Sequence, residues 1–313
     1  MRPELRSRLV FGISMSALVI LGVCTDIQRH SHLGVLLLGM VGVVLGCREY
    51  ARLARVHAPQ VQLLPMITVS CLLAIVGSQG HAIAEQLCAW LPGLRSDFGT
   101  APPLAPLAGL ILGLGMAWVM LNQMARHGAQ DFFANVGATL LGMAYLGVVF
   151  LVLMQLVALG GSRAYYHSLT GFDGRGGLLM LLFLGSTKLG DVAAYFGGRA
   201  CGRHKMAPSI SPGKTWEGFA FSFVGAIGGA YLMSWILSLV YPHGPFDGWW
   251  QPFVWGLVLG PFGVAGDLAE SCMKRDAAMK DSGTAMGGFG GFLDIYDALV
   301  LAAPVAYVLA LIL

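Results

Sequence analysis

The chain has 313 residues, of which 56% are hydrophobic and only 11% charged; its mean hydropathy is +0.71 and its formal net charge +3. That balance excludes a soluble globular enzyme and points to an all-α, polytopic integral membrane protein. The 19 basic residues are scattered over several loops without interleaved aromatics, so nucleic acid is not an expected partner. The six cysteines form no C-x-x-C pair and have no histidine at metal spacing, which suggests neither a disulfide framework nor a zinc site.

The basic start MRPELRSR leads into an apolar run over residues 9–23. No small-x-small cleavage site follows, and a second apolar run begins at Leu33, so an uncleaved first span is expected. Further spans are expected over 33–47, 61–78, 104–124, 134–159, 177–197, 218–241, 253–269 and 292–313, which makes about nine helices. Basic residues should gather on the cytoplasmic side of a membrane. With the N-terminus inside, fourteen fall on that side, from Arg2 to Lys280, and four on the other: Arg29, Arg95, Arg163 and Arg175. Lys188 falls inside the sixth span. The charged loops are therefore expected in the cytoplasm of a bacterial-type inner (cell) membrane, with the C-terminus outside.

The loops differ in kind. Residues 48–59 carry arginines at 48, 52 and 55, one face of a short helix suited to lipid headgroups. Residues 79–103 and 160–176 read as outer connections with glycine, proline and few charges. No internal repeat stands out, and the expected organisation is a mainly structural N-terminal part, 1–176, and a chemical C-terminal part, 177–313.

Chemistry concentrates in two stretches. The first runs from Ser186 to Gly218 and begins within a span, where Lys188 and Asp191 at i, i+3 either neutralise each other or line a cavity. Arg199, Arg203, Lys205 and Lys214 follow in a loop with Pro208, Pro212 and Gly213, which suits polyphosphate as well as ordinary headgroup contact. The octapeptide PSISPGKT at 208–215 is nearly a Walker A pattern, but its first glycine is proline, and it lies between membrane helices instead of joining a strand to a helix. The second stretch runs from Gly266 to Val300. If its first part is helical, Asp267, Glu270, Ser271 and Lys274 share one face, as Asp294 and Asp297 do on the next helix. An acid at mid-membrane costs roughly 3 kcal/mol, so these need a cation, a partner or a water-filled cavity. The glycines of GGFGG at 287–291 lack the context of a dinucleotide site.

Together the two stretches resemble the phosphatidate cytidylyltransferase (CDP-diacylglycerol synthase) family. Its signature, roughly S-x-x-K-R-x4-K-D followed eight residues on by H-G-G-x-x-D-R-x-D, is matched by Ser271, Lys274, Arg275, Lys280, Asp281, Gly290, Gly291, Asp294 and Asp297. An upstream element, D-x-x-A-Y-F-x-G-R-x-x-G-x-H-K-x-A-P-x-I-S-P-x-K-T-W-E-G, is matched over 191–218. The match covers about the last 120 residues. Two positions depart from it, with Phe289 in place of histidine and Ile295 in place of arginine.

The resemblance implies condensation of CTP with membrane phosphatidic acid to give CDP-diacylglycerol and pyrophosphate, using Mg²⁺, with room for a second cation and for a homodimer. It implies Asp267 and Asp294 as metal ligands, with Asp297 and Asp281 next in line. Lys214, Lys274, Arg275 and Lys280 would clamp phosphates. Asp191, Ser211 and Trp216 would shape the nucleotide pocket, with Lys205 and Ser271 also against substrate. The missing cation at 295 should cost catalysis, which makes a slower or differently tuned enzyme, or an inactive paralogue, an expectation to test. Rival readings are another CTP-dependent lipid enzyme, of the polyprenol kinase or CDP-archaeol synthase type, and an ion-coupled transporter using the intramembrane charges.

Overall fold

A computed structural model describes residues 14, 16–27, 32–90, 104–164, 175–240, 244–283 and 290–313. Among them the regular structure is helical apart from one small hairpin. The helices are α1 (Ser16–Ile27), α2 (Leu33–Ala54), α3 (Leu63–Trp90), α4 (Leu104–His127), α5 (Phe132–Gly142), α6 (Val149–Ala164), α7 (Arg175–Cys201), α8 (Trp216–Val240), α9 (Gln251–Asp276) and α10 (Leu293–Ile312). A π-helical turn, Met143–Val148, joins α5 to α6 without a break. Seven segments are long and apolar enough to cross a membrane by length and composition, and Ser16–Ile27 and Leu63–Gln79 are shorter apolar helices. The protein is thus an all-α, multi-pass membrane protein. Part of the expected first span, residues 9–13 and 15, lies outside the described residues.

The chain packs as two compact units. One holds His32–Gln155; the other holds α1 with the described residues from Leu156 to Leu313. In the first unit the short connection after α2 is fixed by buried amides. The Gln60 backbone N–H donates to Asn135 Oδ1 (3.0 Å), the Gln62 backbone N–H to Thr139 Oγ1 (3.1 Å), and Gln62 Nε2 to the Val119 carbonyl (2.9 Å). Arg48, Arg52 and Arg55 stand exposed along one face at the end of α2, as their spacing requires.

The second unit carries both charged stretches. Its helices approach backbone to backbone through small residues, the usual means of association where lipid is as apolar as leucine. A β-carbon on Gly256 of α9 would run into the backbone of Ile227 on α8, and one on Gly266 into the Asp297 carbonyl of α10. Gly190 of α7 lies against Ala226 and the Ser222 carbonyl of α8. These contacts set the rotation and axial offset of α7, α8, α9 and α10, and so decide which polar faces meet.

Between α7 and α8 the chain forms an antiparallel hairpin of β1 (Lys205–Ala207) and β2 (Ser211–Thr215), with Lys205 opposite Thr215 and Ala207 opposite Ser211. The Walker-like octapeptide therefore does lead from a strand directly into a helix, contrary to expectation. Among the described residues the strand nevertheless belongs to a two-stranded antiparallel ribbon, not to the parallel sheet of a P-loop fold. Thr215 caps α8, its Oγ1 accepting the Gly218 N–H (3.1 Å), and Glu217 accepts the backbone N–H groups of Arg203 (3.1 Å) and His204 (3.2 Å). The K-T-W-E-G segment is thus a clamp that fastens the hairpin to the start of α8.

Candidate active site

On α9 the residues spaced i, i+3, i+4 and i+7 do form one polar face. Ser271 Oγ donates to Asp267 Oδ1 (3.4 Å), and Lys274 pairs with Glu270 one turn before it. Glu270 is fully buried, and its Oε1 has no hydrogen-bond partner among the described residues. Because Gly266 lets α10 approach closely, Asp297 comes alongside. Single carboxylate oxygens of Asp267, Glu270 and Asp297 lie within 4.8 Å of one another.

Three lysines enter this acidic cluster from different elements. Lys214 on β2 reaches back to α9, 2.9 Å from Asp267 Oδ2, and donates to the Val264 carbonyl (3.1 Å). Lys274 also donates to Asp294 Oδ1 (2.7 Å). Lys188 on α7 donates to the Ile295 carbonyl (2.7 Å) and lies 3.5 Å from Asp191 Oδ2 and 3.7 Å from Asp297 Oδ1. It therefore does more than neutralise Asp191 on its own helix.

Asp294 occupies a different environment from Asp267. Its Oδ2 accepts the Ser282 N–H (3.0 Å), the Ser282 hydroxyl (2.9 Å) and the Gly291 N–H (2.7 Å). The preceding Gly290 has φ +95°, a conformation that favours glycine, and a β-carbon there would lie 2.5 Å from Asp294 Oδ2. The G-G-x-x-D spacing thus folds the carboxylate back onto the start of its own helix, where partial positive charge favours an anion. Phe289 lies outside the described residues.

The structure therefore brings together Asp191, Lys214, Asp267, Ser271, Lys274, Asp294 and Asp297 of the expected site residues. Arg275 stands beside them in sequence but faces the hairpin, its Nε donating to the Ile210 carbonyl (3.1 Å). Ser211 is half-buried at the start of β2, while Lys205, Trp216, Lys280 and Asp281 are exposed on the hairpin, at the start of α8 and on the stretch after α9. Glu270 and Lys188, noted in the sequence but given no role in the reaction, enter the cluster, as does Ser282, which the sequence did not single out. The helical spacing held the signal for Glu270, and the cost of an intramembrane charge held it for Lys188. Ser282 gave none, since a serine in a loop is ordinary until its partner is known.

The cluster joins five carboxylates (Asp191, Asp267, Glu270, Asp294 and Asp297) to three ammonium groups (Lys188, Lys214 and Lys274), a formal charge of −2. The model of the cytidylyltransferase family matches residues 6–313, almost the whole chain. The chain belongs to the cytidylyltransferase family.

Among relatives of this cytidylyltransferase, a phosphatidate cytidylyltransferase of Chlamydia trachomatis is 30% identical over 315 residues, covering 99% of this chain and 94% of its own. A phosphatidate cytidylyltransferase of Brucella suis is 46% identical over 117 residues, 37% of this chain and 41% of its own. An uncharacterised Escherichia coli protein, YnbB, is 39% identical over 133 residues, 42% of each chain. The matches to the Brucella and E. coli proteins therefore span about two fifths of those relatives, and the Chlamydia match nearly all of it.

Proposed function

We propose that this protein transfers the cytidylyl group of CTP to phosphatidic acid, giving CDP-diacylglycerol and pyrophosphate. The observation that carries this reading is the cluster itself: carboxylates and lysines from α7, β2, α9 and α10 converge in a membrane-spanning member of the cytidylyltransferase family. In the reaction a phosphate oxygen of phosphatidic acid attacks the α-phosphorus of CTP. The bond from that phosphorus to the bridging oxygen breaks, and pyrophosphate leaves. The attacking oxygen is already ionised near neutral pH, so no strong general base is needed. The barrier is mainly repulsion between anions and charge on the leaving group.

The residues present fit a divalent cation. Their donors are carboxylate oxygens, the formal charge of −2 is what one such ion balances, and the buried Glu270 Oε1 lacks a partner among the described residues. Asp267 would hold Mg²⁺ with Glu270 and Asp297. Asp294, the other ligand implied by the family signature, would first have to exchange its Lys274 contact for the ion. Bound Mg²⁺ would neutralise phosphate charge. Lys214 and Lys274, already oriented toward the cluster, would turn their remaining N–H donors to the phosphates of CTP. Arg275 would hold the hairpin over the end of α9, with Lys280 and Lys205 as outer cations for the triphosphate.

The test is conversion of radiolabelled CTP and phosphatidic acid by the purified protein in detergent, with a polyprenol and an archaeol-type phospholipid acceptor as separate arms. Product from phosphatidic acid supports the reading. Product from another acceptor alone, or from none, overturns it.

The reading also places the hairpin and the charged end of α9 in the cytoplasm, where CTP is available, with the lipid substrate in the adjoining leaflet. Accordingly, alkaline phosphatase fused after Leu313 should be active and the same enzyme inserted at Ser209 silent. The opposite pattern would separate the proposed site from its nucleotide.

A further inference from the structure

We infer that Lys188 is a positioning residue for the reaction, supplying from α7 the positive charge that residue 295 of α10 lacks. This rests on the cytidylyl-transfer reading above. The ammonium group sits midway along an apolar helix, where an idle charge is costly to keep. Its contacts are not those of an ordinary i, i+3 pair. The shortest is to the Ile295 carbonyl, 2.7 Å away and 107 residues on in sequence, while its two carboxylate contacts are longer, 3.5 Å to Asp191 and 3.7 Å to Asp297.

Two consequences follow from that placement. Anchored on the Ile295 carbonyl, Lys188 holds the first turn of α10, and with it Asp297, in register with α7. It also competes for Asp297 with any cation bound to the acidic cluster, because an ammonium 3.7 Å from a carboxylate oxygen lowers the negative potential that a divalent ion would meet. The signature that this chain resembles carries arginine at this position, where this chain has Ile295. A cation reaching the backbone of that same residue from another helix can replace the missing guanidinium without restoring it.

The experiment compares the parent, Lys188→Met, Lys188→Arg, Ile295→Arg and the Lys188→Met/Ile295→Arg double variant in detergent. Two quantities are read: kcat for CTP with phosphatidic acid, and the Mg²⁺ concentration giving half-maximal thermal stabilisation without substrates. Lys188→Met should lower kcat at least about tenfold, the size expected on losing one charge-assisted contact. It should also tighten Mg²⁺ binding several-fold, since Asp297 loses its competitor. A merely damaged site would bind Mg²⁺ more weakly. Lys188→Arg and the double variant should both return toward the parent in kcat and in Mg²⁺ affinity. Parent-like values for Lys188→Met overturn the inference, as does a fall in kcat with weaker Mg²⁺ binding and no recovery in the double variant.

If Lys188→Met does not yield a monodisperse protein, Ile295→Arg alone decides. With the charge already supplied, it should bring no gain in kcat, and a several-fold gain overturns the inference. A parent inactive with CTP and phosphatidic acid would instead refute the proposed reaction, leaving the Mg²⁺ measurements to test Lys188 separately.

Discussion

Asp267→Asn should abolish cytidylyl transfer, lowering kcat by at least about a thousandfold, on the order of 4 kcal/mol in the barrier, while the protein stays monodisperse in detergent. Asp267 is the acid that meets both Glu270 and Asp297 and is itself partly open to solvent, so it can exchange Lys214 for an incoming cation. The amide keeps the volume and a hydrogen-bonding oxygen for Ser271, and Lys214 retains the Val264 carbonyl. Folding should therefore be little affected. What changes is charge: the cluster falls from −2 to −1 and no longer matches a divalent ion. Turnover near the parent's at any Mg²⁺ concentration would remove Asp267 from the proposed metal site.

Asp294→Asn gives an informative contrast. If Asp294 mainly holds the Ser282 and Gly291 backbone against α10, its loss should lower the melting temperature along with activity. If it binds the metal, activity should fall while melting stays unchanged.

Lys274→Met should have the largest effect on stability. Lys274 is the cation shared by Glu270 and Asp294, whose side chains are 0% and 10% exposed, so its removal takes from both carboxylates the cation that they share. Removing one member of a buried ion pair typically costs about 3–5 kcal/mol, because the remaining charge stays desolvated and uncompensated. The variant should melt well below the parent by fluorescence-detected size exclusion and be inactive. Adding Glu270→Gln removes one stranded charge and should recover much of the melting temperature without recovering turnover. A Lys274→Met protein that melts like the parent would show that water already solvates these carboxylates.

Local order within single elements is legible in the sequence. Hydropathy located the apolar helices, because a helix that crosses lipid must satisfy its own backbone and cover it with apolar side chains. Helical spacing put Asp267, Glu270, Ser271 and Lys274 on one face, because that spacing is a property of one helix alone. The linear signature pointed to the family. By contrast, the hairpin was not legible: its pairing of Lys205 with Thr215 depends on turn geometry and on Glu217 clamping the N–H groups of Arg203 and His204.

Tertiary structure alone decided which faces meet. Asp297 lies beside Asp267 and Glu270, while Asp294 turns to Lys274, Ser282 and Gly291, although both acids lie on one face of α10. Likewise Lys188 reaches the Ile295 carbonyl across 107 residues, a contact that no local pattern encodes. The physical reason lies in the helix contacts. Periodicity fixes the direction of a side chain relative to its own axis, but the rotation and sliding of one helix against another depend on where backbones can touch, as at Gly256 against Ile227 and Gly266 against Asp297.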